Sequence, residues 1–382
     1  MEPDNNNTRP SRRHVLQAAM LVPAQAVRSS AANSAVTVGL IGAGGRGLLD
    51  AGHLVEHTTA RLTAICDLVP EKTEAAKRRL NTANARVFTD YKELLASDVD
   101  AVLIATPVFL HPEHLEAAIG AGKHVYIEKP AGADVEGCKR VIAAGKAAGS
   151  RLNITFGFQQ RYGPGYRKAW DLVQSGKVGQ LRLANSYWIK GAAGPNARVP
   201  VARPATDRER MLRWKDWREF FGDYIVETYC HGVDVLNWFF QAHPLQATAS
   251  GSQTLITRGD QRDHCTAVFT YPNGIQAALT GTQVTPGFYR DVRELFYCGD
   301  AVVETAREYW KLHRSRTDIL HEKEPHDITI DAIKEFVSRV REGKPENAAL
   351  SAAESTLTAI MARTSMDLGR AVKWEEVAGD QA

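Results

Sequence analysis

The sequence predicts an α/β chain in two parts: a doubly wound parallel sheet, then an α+β domain with a largely antiparallel sheet. Three observations predict it. Between residues 36 and 158, short apolar runs alternate with amphipathic stretches, as when crossover helices bury strands on both faces. Beyond 158, long stretches of period-two alternation take over, and Tyr271-Pro272-Asn273-Gly274 reads as a hairpin turn. The 382 residues suffice for two domains, and 44% apolar with 24% charged residues are globular proportions.

Residues 1–35 are expected to lie ahead of the fold. Ser11-Arg12-Arg13 is followed by a modestly apolar stretch to Val27, interrupted by Pro23 and Gln25, and then by small residues to Ala35. This looks like a twin-arginine export signal with a small-residue cleavage zone, which implies a periplasmic or secreted protein. The alternative is a disordered basic leader and a cytoplasmic protein.

The first domain, 36–158, opens with an apolar strand, 36–41, that runs into Gly42-Ala43-Gly44-Gly45-Arg46-Gly47. The G-x-G-x-x-G spacing gives a tight turn at Gly42, close backbone approach at Gly44, and close helix–strand packing at Gly47. The helix that begins near Arg46 would point its N-terminus at a pyrophosphate. An acid some twenty residues further on, closing the next strand, is the confirming context. Strand 61–66 supplies it in Asp67. The two features together predict a nicotinamide dinucleotide, and the Asp67 charge favours NAD over NADP by repelling a 2′-phosphate.

The alternation continues through helix 70–81, a short strand at 87–88, helix 91–96 and strand 101–105, which ends in Thr106-Pro107. Helix 111–121, strand 124–127, helix 134–148 and strand 152–156 complete the domain. Ligands of such sheets bind at the carboxyl ends of the strands, so Gly42, Asp67, Thr106 and Glu128-Lys129 should converge. Lys129 closes a buried-type strand and precedes Pro130, which places it for work rather than for solvent. His111 is a candidate for cofactor or substrate contact, or a plain helix-start histidine together with His114.

The second domain, 159–382, begins with a helix at 164–175. Strand-like stretches at 181–189, 245–257, 265–271, 275–283 and 292–298 are interrupted by a helix at 229–240. The Pro-, Arg- and Ala-rich stretch 191–213 has no clear periodicity and reads as a lid or a subunit contact. Helices 326–341 and 351–369 are expected to pack back towards the first domain.

Read as one helix, Glu227 and His231 are i and i+4, with Asp234 a further three on. A carboxylate beside an imidazole orients it and raises its basicity, as suits a general base. Arg161, beside Tyr162, faces the crevice or forms a structural salt bridge. Tyr187, Lys190, Arg213 and Trp214 are further candidates for a sugar pocket.

A net charge of +3 gives no support for a nucleic-acid partner, and no apolar run reaches membrane-spanning length. The five cysteines are scattered without metal-ligand spacing, so neither a disulfide nor a metal site is expected.

Taken together, Gly42–Gly47, Ala105-Thr106-Pro107 with His111, Ala121-Gly122-Lys123-His124-Val125 leading to Glu128-Lys129-Pro130, and the later His231 resemble the Gfo/Idh/MocA oxidoreductases. These are the relatives of glucose–fructose oxidoreductase and inositol dehydrogenase. The resemblance spans about 36–375, including a terminal helix through 370–374. It implies a Rossmann domain, an open-faced second sheet that mediates dimers or tetramers, and NAD(P)-linked chemistry on sugars or cyclitols. It makes Lys129 and His231 the catalytic pair. The family's usual aspartate four residues before the histidine is Glu227 here, and Asp234 is a substitute orienter. Members resembling this family also include redox-neutral NAD-dependent glycosidases and cofactor-recycling oxidoreductases. A non-catalytic NAD-binding sensor is the remaining alternative.

Overall fold

A computed structural model describes residues 35–191 and 193–379. The expected export signal over 1–35, apart from Ala35, lies outside the described residues.

The first sheet holds β1 (Thr37–Ile41), β2 (Arg61–Cys66), β3 (Arg86–Phe88), β4 (Ala101–Ile104), β5 (His124–Ile127) and β6 (Ile154–Phe156). All pairings are parallel and the order is β3-β2-β1-β4-β5-β6. Strand order reverses between β1 and β4, and this switch point is where such sheets bind ligands. β4 is buried at every position, as befits a strand covered on both faces.

The crossovers are α1 (Gly45–His57), α2 (Pro70–Arg79), α3 (Tyr91–Leu95), α4 (His111–Gly120) and α5 (Val135–Ala148). α1 buries Gly47, Asp50, Ala51 and Leu54, one helical face at spacings of three and four.

The second sheet has nine strands: β7 (Leu181–Lys190), β8 (Gln246–Ser252), β9 (His264–Thr270), β10 (Gln276–Thr282), β11 (Arg290–Cys298), β12 (Val302–Ala306), β13 (Tyr309–His313), β14 (Ile319–Lys323) and β15 (Val372–Lys373). The order is β14-β13-β12-β11-β7-β10-β9-β8-β15, with only β7 and β10 parallel. The expected α/β architecture with a largely antiparallel second sheet is therefore present.

Around this sheet lie α6 (Pro164–Gln174), α7 (Asp207–Arg213), α8 (Arg218–Phe221), α9 (Tyr224–Glu227) and α10 (Cys230–Phe240). After β14 come α11 (Thr329–Glu342), α12 (Ala349–Leu368) and α13 (Trp374–Ala378). On β7 the inward residues Ala184, Ser186 and Trp188 are buried, while Leu183 on the opposite face is 40% exposed. α12 packs on α5, α10 and β8, joining the two sheets' layers. The approach to α5 is close enough that a Cβ on Gly145 would lie 2.4 Å from the Cβ of Ala349.

Three readings change. Residues 207–213, expected to lack periodicity, form α7, started by a capping box between Thr206 and Glu209. β12, β13 and β14 extend the sheet where no strands were anticipated. Residues 372–373, expected within a helix, pair with β8 as β15.

Candidate active site

The glycine loop divides into two kinds of position. Gly42 has φ +95°, and a Cβ there would meet the Ala105 carbonyl oxygen at 2.7 Å; at Gly47 a Cβ would lie 2.0 Å from the Gly42 oxygen. Both glycines are required by the packing of backbone on backbone. At Gly44 and Gly45 a Cβ would meet nothing within 4 Å. The helix that starts there has no side-chain cap at Gly44 and no acid in its first turn. Its first amide donors are thus left facing open space, a ready anion site. Asp67, closing β2, accepts from the backbone N–H of Ala43 at 2.9 Å through Oδ2 and from that of Val69 at 2.9 Å through Oδ1. This open, uncapped cradle with a fixed carboxylate beside it fits a dinucleotide, which Gly42, Gly44, Gly45, Gly47 and Asp67 would hold.

A cavity of about 330 Å³ opens from the switch point towards the second sheet, and Arg46, Thr106, Glu128, Lys129, Glu227 and His231 line it. Glu128 and Lys129 leave the end of β5. Glu128 is buried and accepts from Arg46 Nε at 2.9 Å and Gln159 Nε2 at 3.1 Å, while Arg46 also reaches Asp50 at 3.1 Å. The Lys129 ammonium donates to the Glu227 carbonyl and lies 3.7 Å from Oε1 of the same residue. Burial is the largest influence and works to lower the Lys129 pKa, but Glu227, Cys230 and Glu128 together outweigh it and the net shift is upward. Glu227 is itself held below the usual carboxylate range: burial opposes this, and Lys129 and Lys215 overcome it, the latter 3.1 Å from Oε1. Lys129 is therefore a fixed cation and not a proton acceptor.

His231 is carried into the cavity by α10. Its ring stacks on Trp188, with centroids 5.1 Å apart and planes at 7°, and meets Phe158 edge-on at 5.9 Å. Nδ1 is buried without a hydrogen-bond partner among the described residues. Burial pushes the His231 pKa well below its ordinary value, and Lys129, Arg307 and Arg46 push the same way. The ring is neutral, with Nε2 as the nitrogen able to take a proton from a ligand.

Several candidates are corrected. Glu227 and Asp234 do not orient His231. The helix is interrupted between α9 and α10 at Thr228-Tyr229, so the i,i+4 relation fails, and Glu227 turns to the two lysines. Asp234 is fully buried, accepts from Arg161 Nε at 2.8 Å and Nη2 at 2.8 Å, and from Ser355 Oγ at 2.7 Å. Arg161 is thus a structural ion pair. Tyr162 is buried in the core beside α11, Tyr187 sits on the outer face of β7, and Arg213 donates to the Ala202 carbonyl at 3.3 Å. His111 lies against the cavity, but its ring nitrogens sit 2.7 Å from the Pro130 carbonyl and 2.9 Å from that of Thr106, a backbone clasp. The Thr106 hydroxyl is 3.0 Å from His114 Nδ1. Lys190 and Trp214 line the cavity.

Sequence reasoning missed Trp188, Lys215, Arg290 and Arg307. Trp188 is an inward residue two before Lys190 on β7, a signal the alternation carried. The other three come from separate loops and strands, and only the fold assembles them.

Fold, glycine loop and cavity define a two-domain dinucleotide-binding protein of oxidoreductase type. The family model for the GFO/IDH/MocA oxidoreductases, NAD-binding Rossmann fold, matches residues 36–156, and that for the GFO/IDH/MocA C-terminal domain matches 166–302. Together these take in more than half of the chain, which belongs to this family. An inositol 2-dehydrogenase of Azotobacter vinelandii is 32% identical over 49% of this chain and 49% of its own length. The chain spans about half the length of the curated relatives it matches. Among solved structures, levoglucosan dehydrogenase in complex with NADH and levoglucosan superposes with a TM-score of 0.76 at 18% identity, covering 89% of this chain and 99% of that one. Scyllo-inositol dehydrogenase from Lactobacillus casei, with NAD(H) and scyllo-inositol, gives 0.72 at 21% identity, covering 89% and 99%. At such identities the likeness speaks for the fold.

Proposed function

We propose that the protein is an NAD-dependent oxidoreductase acting on a secondary hydroxyl of a sugar, cyclitol or glycoside. The observation that carries this is the meeting of a neutral His231 and a charged Lys129 in one cavity, beside an uncapped helix N-terminus. When bound, NAD supplies the hydride acceptor for the carbinol hydrogen. His231 Nε2 takes the hydroxyl proton as the carbon is oxidised to a carbonyl. The Lys129 ammonium stabilises the negative charge that develops on the substrate oxygen, and Glu227 keeps that ammonium charged and aimed. Trp188 and Phe158 wall the imidazole and keep it neutral. Supporting relatives are the inositol 2-dehydrogenases and the levoglucosan dehydrogenase fold.

The Arg12-Arg13 leader supports export of the folded, cofactor-loaded protein, with NAD retained and recycled in place. Exposed Leu183 and Val268 on the outer face of the second sheet support assembly of copies through that face. The test is a panel of cyclitols, free sugars and chromogenic glycosides incubated with NAD. Net NADH with free sugars or cyclitols is the expected result. Aglycone release without net NADH would assign the protein to redox-neutral glycoside cleavage instead. Bound NAD with neither reaction would leave a sensor.

A further inference from the structure

The charges around the cavity do not balance. Six of its lining residues are lysine or arginine and two are glutamate. Glu128 is engaged by Arg46, and Glu227 by Lys129 and Lys215. Arg307 turns to Asp327 at 2.9 Å, outside the lining set. This leaves Lys190 and Arg290.

These two sit directly opposite each other, at the end of β7 and the start of β11. Like charges at opposed cross-strand positions destabilise a sheet unless something neutralises them. Arg290 has one carboxylate within reach, Glu308 at 3.4 Å, and both side chains are more than half exposed, so that pair is weak. Lys190 makes no ion pair among the described residues; its ammonium lies 5.8 Å from the centre of the Trp188 ring. Burial lowers its pKa, with Arg290, Lys129 and Lys215 adding to the effect against Glu227. A cation half-withdrawn from water beside other cations is a costly arrangement without an anion to complete it. A neutral polyol offers only hydroxyls, which accept hydrogen bonds without neutralising the charge.

We infer that the substrate is an anionic sugar, a sugar acid or sugar phosphate, whose oxyanion is held between Lys190 and Arg290 while Lys129 and His231 address a ring hydroxyl. This rests on the reading of the cavity as a sugar site. Arginine and lysine converging on one oxyanion give charge-assisted hydrogen bonds, which are stronger than bonds to a hydroxyl.

The test is calorimetric binding of D-glucuronate, D-glucose 6-phosphate and D-glucose to the full chain, with and without saturating NADH. Tighter binding of one charged sugar than of glucose is expected, weakening as salt is raised. Whichever anion wins identifies the source of the oxyanion. Lys190→Gln and Arg290→Gln should each weaken the charged sugar by about tenfold to a hundredfold, the worth of one charge-assisted bond, while changing glucose by much less. Glucose binding as tightly as both charged sugars, wild-type affinity for the anion in both variants, or no sugar binding at all would overturn the inference. Tight anion binding lost in both variants, with no NADH formed from the bound sugar and NAD, would leave the Lys190–Arg290 oxyanion site standing and count against the oxidoreductase reading.

Discussion

Replacing Glu227 by Gln probes the arrangement of charge that the mechanism depends on. The substitution keeps the size of the side chain and removes its charge. Lys129 Nζ lies 3.7 Å from Oε1, and both side chains are nearly withdrawn from solvent, at 12% and 11% exposure. Two unit charges at that separation interact with about 4 kcal/mol at an effective dielectric constant of about 20. This attraction is the largest of those that, with Cys230 and Glu128, together overcome burial and raise the Lys129 pKa. The sign follows directly. A lysine with a raised pKa keeps its charge until the pH climbs through that pKa. Without Glu227, burial dominates, and the charge is lost at lower pH. The alkaline limb of kcat/KM should therefore move to lower pH. Turnover at neutral pH should fall by about tenfold to a hundredfold, short of the ~100- to 1000-fold that follows outright loss of an oxyanion donor. The assay is a pH–rate profile of the wild type and Glu227→Gln with saturating NAD. An alkaline limb at the wild-type position would refute the role given to Glu227.

Gly44→Ala and Gly47→Ala should separate ligand space from packing. At Gly44 the added methyl meets nothing, so stability should stay within about 1 kcal/mol by urea unfolding while NAD affinity drops tenfold or more. At Gly47 the methyl would lie 2.0 Å from a backbone oxygen, so the fold itself should lose about 1–3 kcal/mol. Normal NAD binding by Gly44→Ala would contradict the cradle. Asp67→Asn removes the charge and leaves an acceptor for only one of the Ala43 and Val69 N–H groups, and should shift the measured kcat/KM ratio towards NADP. Burial lowers the His114 pKa from 6.5 to about 4, so the unfolded chain binds a proton that the folded one refuses between those values. Stability should therefore decline as pH falls from 6.5 to 4, by about 3 kcal/mol from this group, and His114→Gln should flatten that slope in acid unfolding titrations.

The first domain was legible because its signals are local. Glycine spacing, a buried-type strand and an acid at the next strand's end each reside in a few consecutive residues, and Gly42, Asp67 and Lys129 took their expected places. The second domain was less so. β12 is buried at four successive positions, the polar Glu304 and Thr305 among them, and β14 is largely exposed, so neither shows an alternation of apolar and polar residues. The Thr206–Glu209 capping box was present in the sequence and would have revealed α7. The relation between Glu227 and His231 failed for a physical reason. Helical spacing assumes an unbroken helix, and the break at Thr228-Tyr229 lets Glu227 answer two buried or half-buried cations instead. Arg161 and Asp234, each plausible in a crevice, neutralise one another in the core. The cationic rim of Lys215, Arg290 and Arg307 has no signature along the chain.

The central claim is that Lys129 and His231 act on the substrate and do not serve to hold the dinucleotide. It is tested most directly by measuring NAD affinity and kcat side by side in Lys129→Ala and His231→Ala. NAD dissociation constants should stay within a few fold of wild type and kcat should fall by about a hundredfold or more in each. Near-normal turnover in either variant, or a loss of NAD affinity as large as the loss of rate, would contradict it.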